Sequence, residues 1–142
     1  IFMSDTRTNS GVDNVSTFKK MFTWSVPEER AIYMMTAGNL GTSQAVINIL
    51  DEQVRTADET TVSLYNTTSL FQVANLTGET LKEVIGKNHQ GGDVADPSFD
   101  ATIIMGGQIA GEPQRLFLIY PEGNFIEASD DTQFFQSGDY IV

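Results

Sequence analysis

The sequence predicts an α+β fold built on antiparallel sheet, and three observations predict it. Strand-like runs come first, two helical stretches follow and strand-like runs return, so the elements are segregated rather than alternating. Short turns rich in Gly, Pro, Asn and Asp separate the strand runs, as hairpins require. The 142 residues are 40% hydrophobic and 19% charged, a globular composition with length for one domain, 1–142, and a sizeable core.

Residues 1–5 read as a strand, and 6–14 as a turn rich in Thr, Asn, Gly and Asp. Residues 15–25, with Val15, Phe18, Met21, Phe22 and Trp24, read as a second strand, and 27–30 as a turn with Pro27 at a natural turn position. The run Ala31-Ile32-Tyr33-Met34-Met35-Thr36-Ala37 is nearly continuous and apolar, as in a strand buried on both faces. Gly38-Asn39-Leu40-Gly41 breaks it, and Thr42 or Ser43 can cap the helix that follows. Over 43–55, Ala45, Val46, Ile49, Leu50 and Val54 fall on one helical face. Residues 56–68 are a polar connection. A second helix starts at Ser69, with Leu70, Val73, Ala74, Thr77, Leu81, Val84 and Ile85 at helical spacing until Gly86 stops it. Residues 86–100 read as a loop, the segment most apt to move. Strands then resume over 101–105, ending at Gly106-Gly107, and over 115–120, ending at the turn Pro121-Glu122-Gly123. Residues 124–128 complete a hairpin, and 133–136 form a last short strand.

The composition excludes several functions. A net charge of −11, from 19 acidic and 8 basic residues, leaves no basic footprint for nucleic acid or for an anionic membrane surface. No apolar run approaches the roughly 20 residues that span a bilayer. There is no cysteine, which excludes disulfides, thiolate chemistry and cysteine zinc sites and fits a cytoplasmic location. The chain opens on Ile1 inside an apolar run and stops at Ile141-Val142 where another begins, so we expect a fragment with sequence missing from both ends.

Few residues suggest chemistry. Pairing of the first two runs brings Lys20 to Asp5, a pair that either tunes a nearby amine or nucleophile or is a solvated ion pair. Gly38, at the end of a strand and the start of a helix, either exposes backbone N–H groups as an oxyanion hole or supplies a tight turn. His89 is the only histidine, so a Ser-His-Asp triad would have to run through it, but it sits in a polar loop, where a lone histidine is more often solvated. Asp93, Asp96 and Asp100 lack the calcium-loop pattern, no other cluster has metal-ligand spacing, and Asp130-Asp131 reads as a solvated turn. We expect no metal and no cofactor.

Together, Ser4-Asp5-Thr6-Arg7-Thr8-Asn9, Gly11-Val12-Asp13-Asn14, Phe18-Lys19-Lys20-Met21 and Thr36-Ala37-Gly38-Asn39-Leu40-Gly41-Thr42-Ser43-Gln44-Ala45 resemble a proteasome-type β-subunit. Gly106-Gly107-Gln108-Ile109 and the stretch from Leu116 to Ala128, with Tyr120-Pro121-Glu122-Gly123-Asn124, resemble one bacterial branch, the ancestral β-subunit (Anbu) peptidases. The resemblance covers almost the whole chain. It implies the Ntn-hydrolase fold, a four-layer αββα sandwich with antiparallel sheets, and a threonine-type peptidase with no cofactor. In such enzymes an N-terminal threonine is the nucleophile and its own α-amine, with a pKa of about 7.7–8.0, is the base. By position Asp5 matches the family's acid, Lys20 its catalytic lysine and Gly38 its oxyanion glycine. Ser137 falls near the serine that hydrogen-bonds the nucleophile's amine. The threonine itself is absent, and a preceding hairpin strand and turn would place it about a dozen residues upstream of Ile1. The resemblance implies a cytoplasmic, self-assembling homo-oligomer, ring or helical, that hydrolyses peptides or unfolded proteins. The alternatives are a non-catalytic structural subunit of such an assembly and an Ntn-hydrolase acting on a small amide.

Overall fold

The computed structural model describes residues 1–6, 18–58, 60–88 and 97–138. The expected turn over 6–14, the solitary His89, and Asp93 and Asp96 lie, apart from Thr6, outside the described residues. Among the described residues, five strands build one antiparallel sheet in the order β1-β2-β3-β4-β5: β1 Met21–Val26, β2 Arg30–Gly38, β3 Ala101–Ile109, β4 Arg115–Ile119 and β5 Phe125–Glu127. Two helices, α1 Leu40–Thr56 and α2 Leu70–Asn88, separate β2 from β3, and a single 3-10 turn, Pro97–Phe99, leads into β3. The α+β class and its antiparallel sheet agree with the sequence. Of the four layers of an Ntn-hydrolase sandwich, the described residues build two, one sheet and one helical layer.

Strand register decides which side chains meet the helices. Phe22 and Trp24 oppose Met34 and Ile32, Met34 opposes Met105, Met105 opposes Phe117, and Ile103 opposes Ile119. Residues directly opposite share a face, and this face packs with Val46, Ile47 and Leu50 of α1 and Leu70, Val73, Ala74 and Leu81 of α2 in one core. Met34, Leu50, Leu81, Met105 and Phe117 are fully buried there. Each such side chain contributes roughly 1.5–3 kcal/mol by leaving water. The expectation that the 31–37 run is buried on both faces is corrected. Ile32, Met34 and Thr36 are buried, while Ala31, Tyr33, Met35 and Ala37 are half-buried, because among the described residues only one face carries helices.

Several boundaries also differ. Residues 1–5 form no strand; they lie along the sheet irregularly, with Phe2 stacked on Tyr33 at a centroid distance of 5.8 Å. Gly106 makes room for that ring, since a Cβ there would stand 2.6 Å from Phe2 Cζ. The glycine pair thus serves packing rather than a turn, and β3 runs through it to Ile109. Gly86 does not stop the second helix. A helical glycine costs about 1 kcal/mol, and the buried Val84 and Ile85 hold the last turn on the core to Asn88. Residues 133–136 lack strand pairing. Asp130-Asp131 is a turn as expected, closed by hydrogen bonds of 2.9 and 3.1 Å between the Ser129 and Thr132 backbones.

Candidate active site

The C-terminal end of β2 gathers the residues that the sequence singled out. The Lys20 carbonyl accepts a hydrogen bond of 3.0 Å from the Thr36 amide, so the β1 ladder reaches one residue beyond the strand. That bond puts Lys20 beside Thr36, two residues before Gly38, or roughly 7 Å along an extended chain. Lys20 Nζ stands 2.6 Å from Asp5 Oδ1, with side chains 24% and 48% exposed. The pairing foreseen from two strands therefore forms without the first of them. Phe2, seated over Gly106 and against Tyr33, anchors the irregular segment from which Asp5 reaches the lysine.

Gly38 ends β2 with φ at +99°. Other residues are strained in this left-handed region, and a Cβ here would also lie 2.5 Å from the Asp100 carbonyl oxygen. The tight-turn requirement for glycine is therefore met. Gly38 is exposed, at the mouth of the strand. The helix cap is Asn39, not Thr42 or Ser43: its Oδ1 accepts the Thr42 amide at 2.9 Å and its carbonyl accepts the Ser43 amide at 3.0 Å. Thr42 and Ser43 are instead buried within the first turn. Asparagine ranks among the best N-caps, so this signal was present in the sequence and was overlooked.

Ser137 arrives at the same end from the far side of the chain. Its hydroxyl lies 2.9 Å from that of Thr102, and Thr102 pairs with Ala37, the neighbour of Gly38. Thr102 was not foreseen, because its relevance comes from the β2–β3 register alone. Asp5, Lys20, Gly38 and Ser137 are thus linked through Thr36, Ala37 and Thr102 around one strand end. Chemically, this end offers a cation held by a carboxylate, hydroxyls, and backbone N–H groups where a 17-residue helix begins with its positive dipole end. Among the described residues, no group of three or more His, Cys, Asp and Glu could hold a metal ion, and no helix is long and apolar enough to cross a membrane.

Comparison with known proteins adds a strong likeness. The fold superimposes on Anbu (ancestral beta-subunit) from Yersinia bercovieri with a TM-score of 0.85 and 43% identity, covering 96% of this chain and 55% of that one. Anbu from Hyphomicrobium sp. strain MC1 gives a TM-score of 0.82 and 41% identity, with the same 96% and 55% coverage. The helical assembly of the Anbu complex from Pseudomonas aeruginosa gives 0.83 and 42%, again with 96% and 55% coverage. The chain thus spans about 55% of the length of the structures it matches. No family model and no curated protein matches it.

Proposed function

The chain belongs to the ancestral β-subunit (Anbu) family, and from that premise we propose that it is part of a proteasome-like peptidase subunit with an N-terminal threonine nucleophile. The observation that carries this reading is the 2.6 Å Lys20–Asp5 contact beside the strand that ends in the exposed, left-handed Gly38.

In the proposed mechanism the threonine precedes Ile1, because its base must be a chain-terminal amine and no internal threonine carries one. The amine takes the hydroxyl proton as Oγ attacks the peptide carbonyl. Lys20, oriented by Asp5, favours the neutral amine and the developing alkoxide. The carbonyl oxygen becomes an oxyanion and receives the Gly38 N–H. Collapse of the tetrahedral intermediate expels the peptide amine, which takes the proton back from the ammonium. Water then hydrolyses the acyl-threonine ester by the same exchange in reverse. Ser137, beside Thr102, would hydrogen-bond the threonine amine. Peptides or unfolded proteins are the proposed substrates, and a cytoplasmic location belongs to the same reading. Homo-oligomerisation is supported by the helical assembly formed by the Pseudomonas aeruginosa relative.

The test is N-terminal sequencing of the mature full-length protein together with Lys20→Ala. We expect a terminal threonine, and a fall in peptide turnover of roughly a thousandfold or more in the variant with assembly intact. Any other terminal residue makes this a structural subunit of the family. Retained turnover removes Lys20 from the mechanism.

A further inference from the structure

Resting on the reading of Gly38 as the oxyanion donor, we propose that Asn39 is a positioning residue for the hydrolysis: it anchors the peptide group after Gly38 and so restrains the φ and ψ of the glycine that carries the oxyanion N–H. All of its polar groups are engaged. The side-chain oxygen and the carbonyl accept from Thr42 and Ser43 at 2.9 and 3.0 Å, which is the cap of α1. The other two bonds leave the helix. The Asn39 amide donates to the Asp100 carbonyl at 2.8 Å, and Nδ2 donates to the Ser98 carbonyl at 2.8 Å. Thr42 adds a third crossing bond, from Oγ1 to the Phe99 carbonyl at 2.8 Å.

A cap needs only the first two bonds. Serine and aspartate accept at this position about as well as asparagine. The side-chain bond to Ser98 asks for more. The amide carries its acceptor and its donor on separate atoms and can meet the Thr42 amide with one and the Ser98 carbonyl with the other, whereas a carboxylate has no donor and a hydroxyl has a single, shorter-reaching oxygen. What the crossing bonds hold is the glycine. Lacking a Cβ, Gly38 enters the left-handed region freely and leaves it as freely. An oxyanion donor works by standing in place before charge develops, so a donor that swings away loses most of its effect. The Asp100 carbonyl that receives the Asn39 amide also packs against Gly38, 2.5 Å from the place of an absent Cβ. Asn39 therefore ties the glycine to α1 on one side and to the 97–100 turn on the other.

Asn39→Asp in the full-length protein separates the cap from the clamp. Aspartate keeps the acceptor for the Thr42 amide and suits a helix start, but it turns a carboxylate oxygen towards the Ser98 carbonyl. We expect a Tm within about 2 °C of the wild type, with kcat for a fluorogenic peptide lowered roughly tenfold or more and KM within about twofold. Affinity for a peptide boronate, whose tetrahedral adduct places an oxygen where the oxyanion sits, should fall by the same factor. Asn39→Ser, which caps but cannot reach Ser98, should behave alike and carries the test if the aspartate variant does not fold. Wild-type kcat and boronate affinity in the folded variants overturn the proposal, as does a loss confined to KM. If the wild type itself neither cleaves peptide nor binds boronate, the reading of Gly38 has failed and this inference falls with it.

Discussion

The two sides of the candidate site are built by different means. Gly38 and Asn39 sit at the junction of β2, α1 and the turn before β3, where backbone and side-chain bonds of 2.8–3.0 Å leave little freedom. Asp5 and Lys20 meet across 15 residues, from an irregular segment and a strand entry, through side chains that stay partly in water. The first arrangement follows from the geometry of regular elements. The second depends on where Phe2 lies over Gly106. The glycine side is therefore expected to be stiff and expensive to alter, and the lysine side soft, with mutations felt in chemistry more than in stability.

Gly38→Ala gives the largest effect on stability. The strained φ and the clash with the Asp100 carbonyl act together, and a loss of about 2–4 kcal/mol in stability is expected. Turnover by the full-length protein should fall by at least roughly a hundredfold. Denaturant unfolding and peptide hydrolysis read the two losses separately. An alanine variant of wild-type stability would mean that the glycine conformation is not required. Asp5→Asn probes the other side. It removes a charge from a partly exposed pair, so the stability change should stay under about 1 kcal/mol. Turnover should drop roughly ten- to a hundredfold, because Lys20 loses the group that orients it. The opposite pattern, a large stability loss with turnover unchanged, would make the pair structural.

The same contrast explains what was legible in the sequence. The order of elements, the α2 face and the α+β class follow from apolar spacing, which burial enforces wherever a face meets the core. The α1 face is turned from the expected one: Val46 and Leu50 are buried with the unforeseen Ile47, and Ala45, Ile49 and Val54 are only half-buried at its margin. The Lys20–Asp5 contact was readable from two apolar runs and a turn, although the first run forms no strand: Phe2 docks by stacking on Tyr33, and stacking leaves no periodic trace. Gly106-Gly107 looked like a strand end because glycine usually marks turns, whereas here its missing side chains admit a ring and a neighbouring strand. Thr102 could not have been found, since only register brings it opposite Ala37 and against Ser137. Asn39 could have been, had the cap been sought one residue after the glycine rather than at the first hydroxyl.

A third region shows that exposure alone does not make a carboxylate soft, and it carries the smallest expected effect. Asp58 lies in the α1–α2 connection, beyond the far end of a helix about 25 Å long. Its Oδ1 accepts from the hydroxyl and amide of Thr60 at 2.7 and 2.9 Å and from the amide and hydroxyl of Thr61 at 2.9 Å each. Hydrogen bonds from the Thr60 hydroxyl first, then from its amide and from Thr61, hold the Asp58 pKa at about 2 rather than the ordinary 3.8. A carboxyl whose folded pKa lies below its unfolded one contributes stability that is complete above the unfolded value and disappears as pH falls through the folded one. The window is therefore from about 4 down to about 2. An NMR titration of the Asp58 carboxyl should show its midpoint near 2, with Asp58→Asn removing the step and leaving peptide turnover at neutral pH unchanged. A midpoint at or above 3.8 would mean that the Thr60 and Thr61 bonds do not persist in solution. A carboxylate in water would then be no stiffer for its neighbours, and the softness assigned to Asp5 would follow from exposure after all.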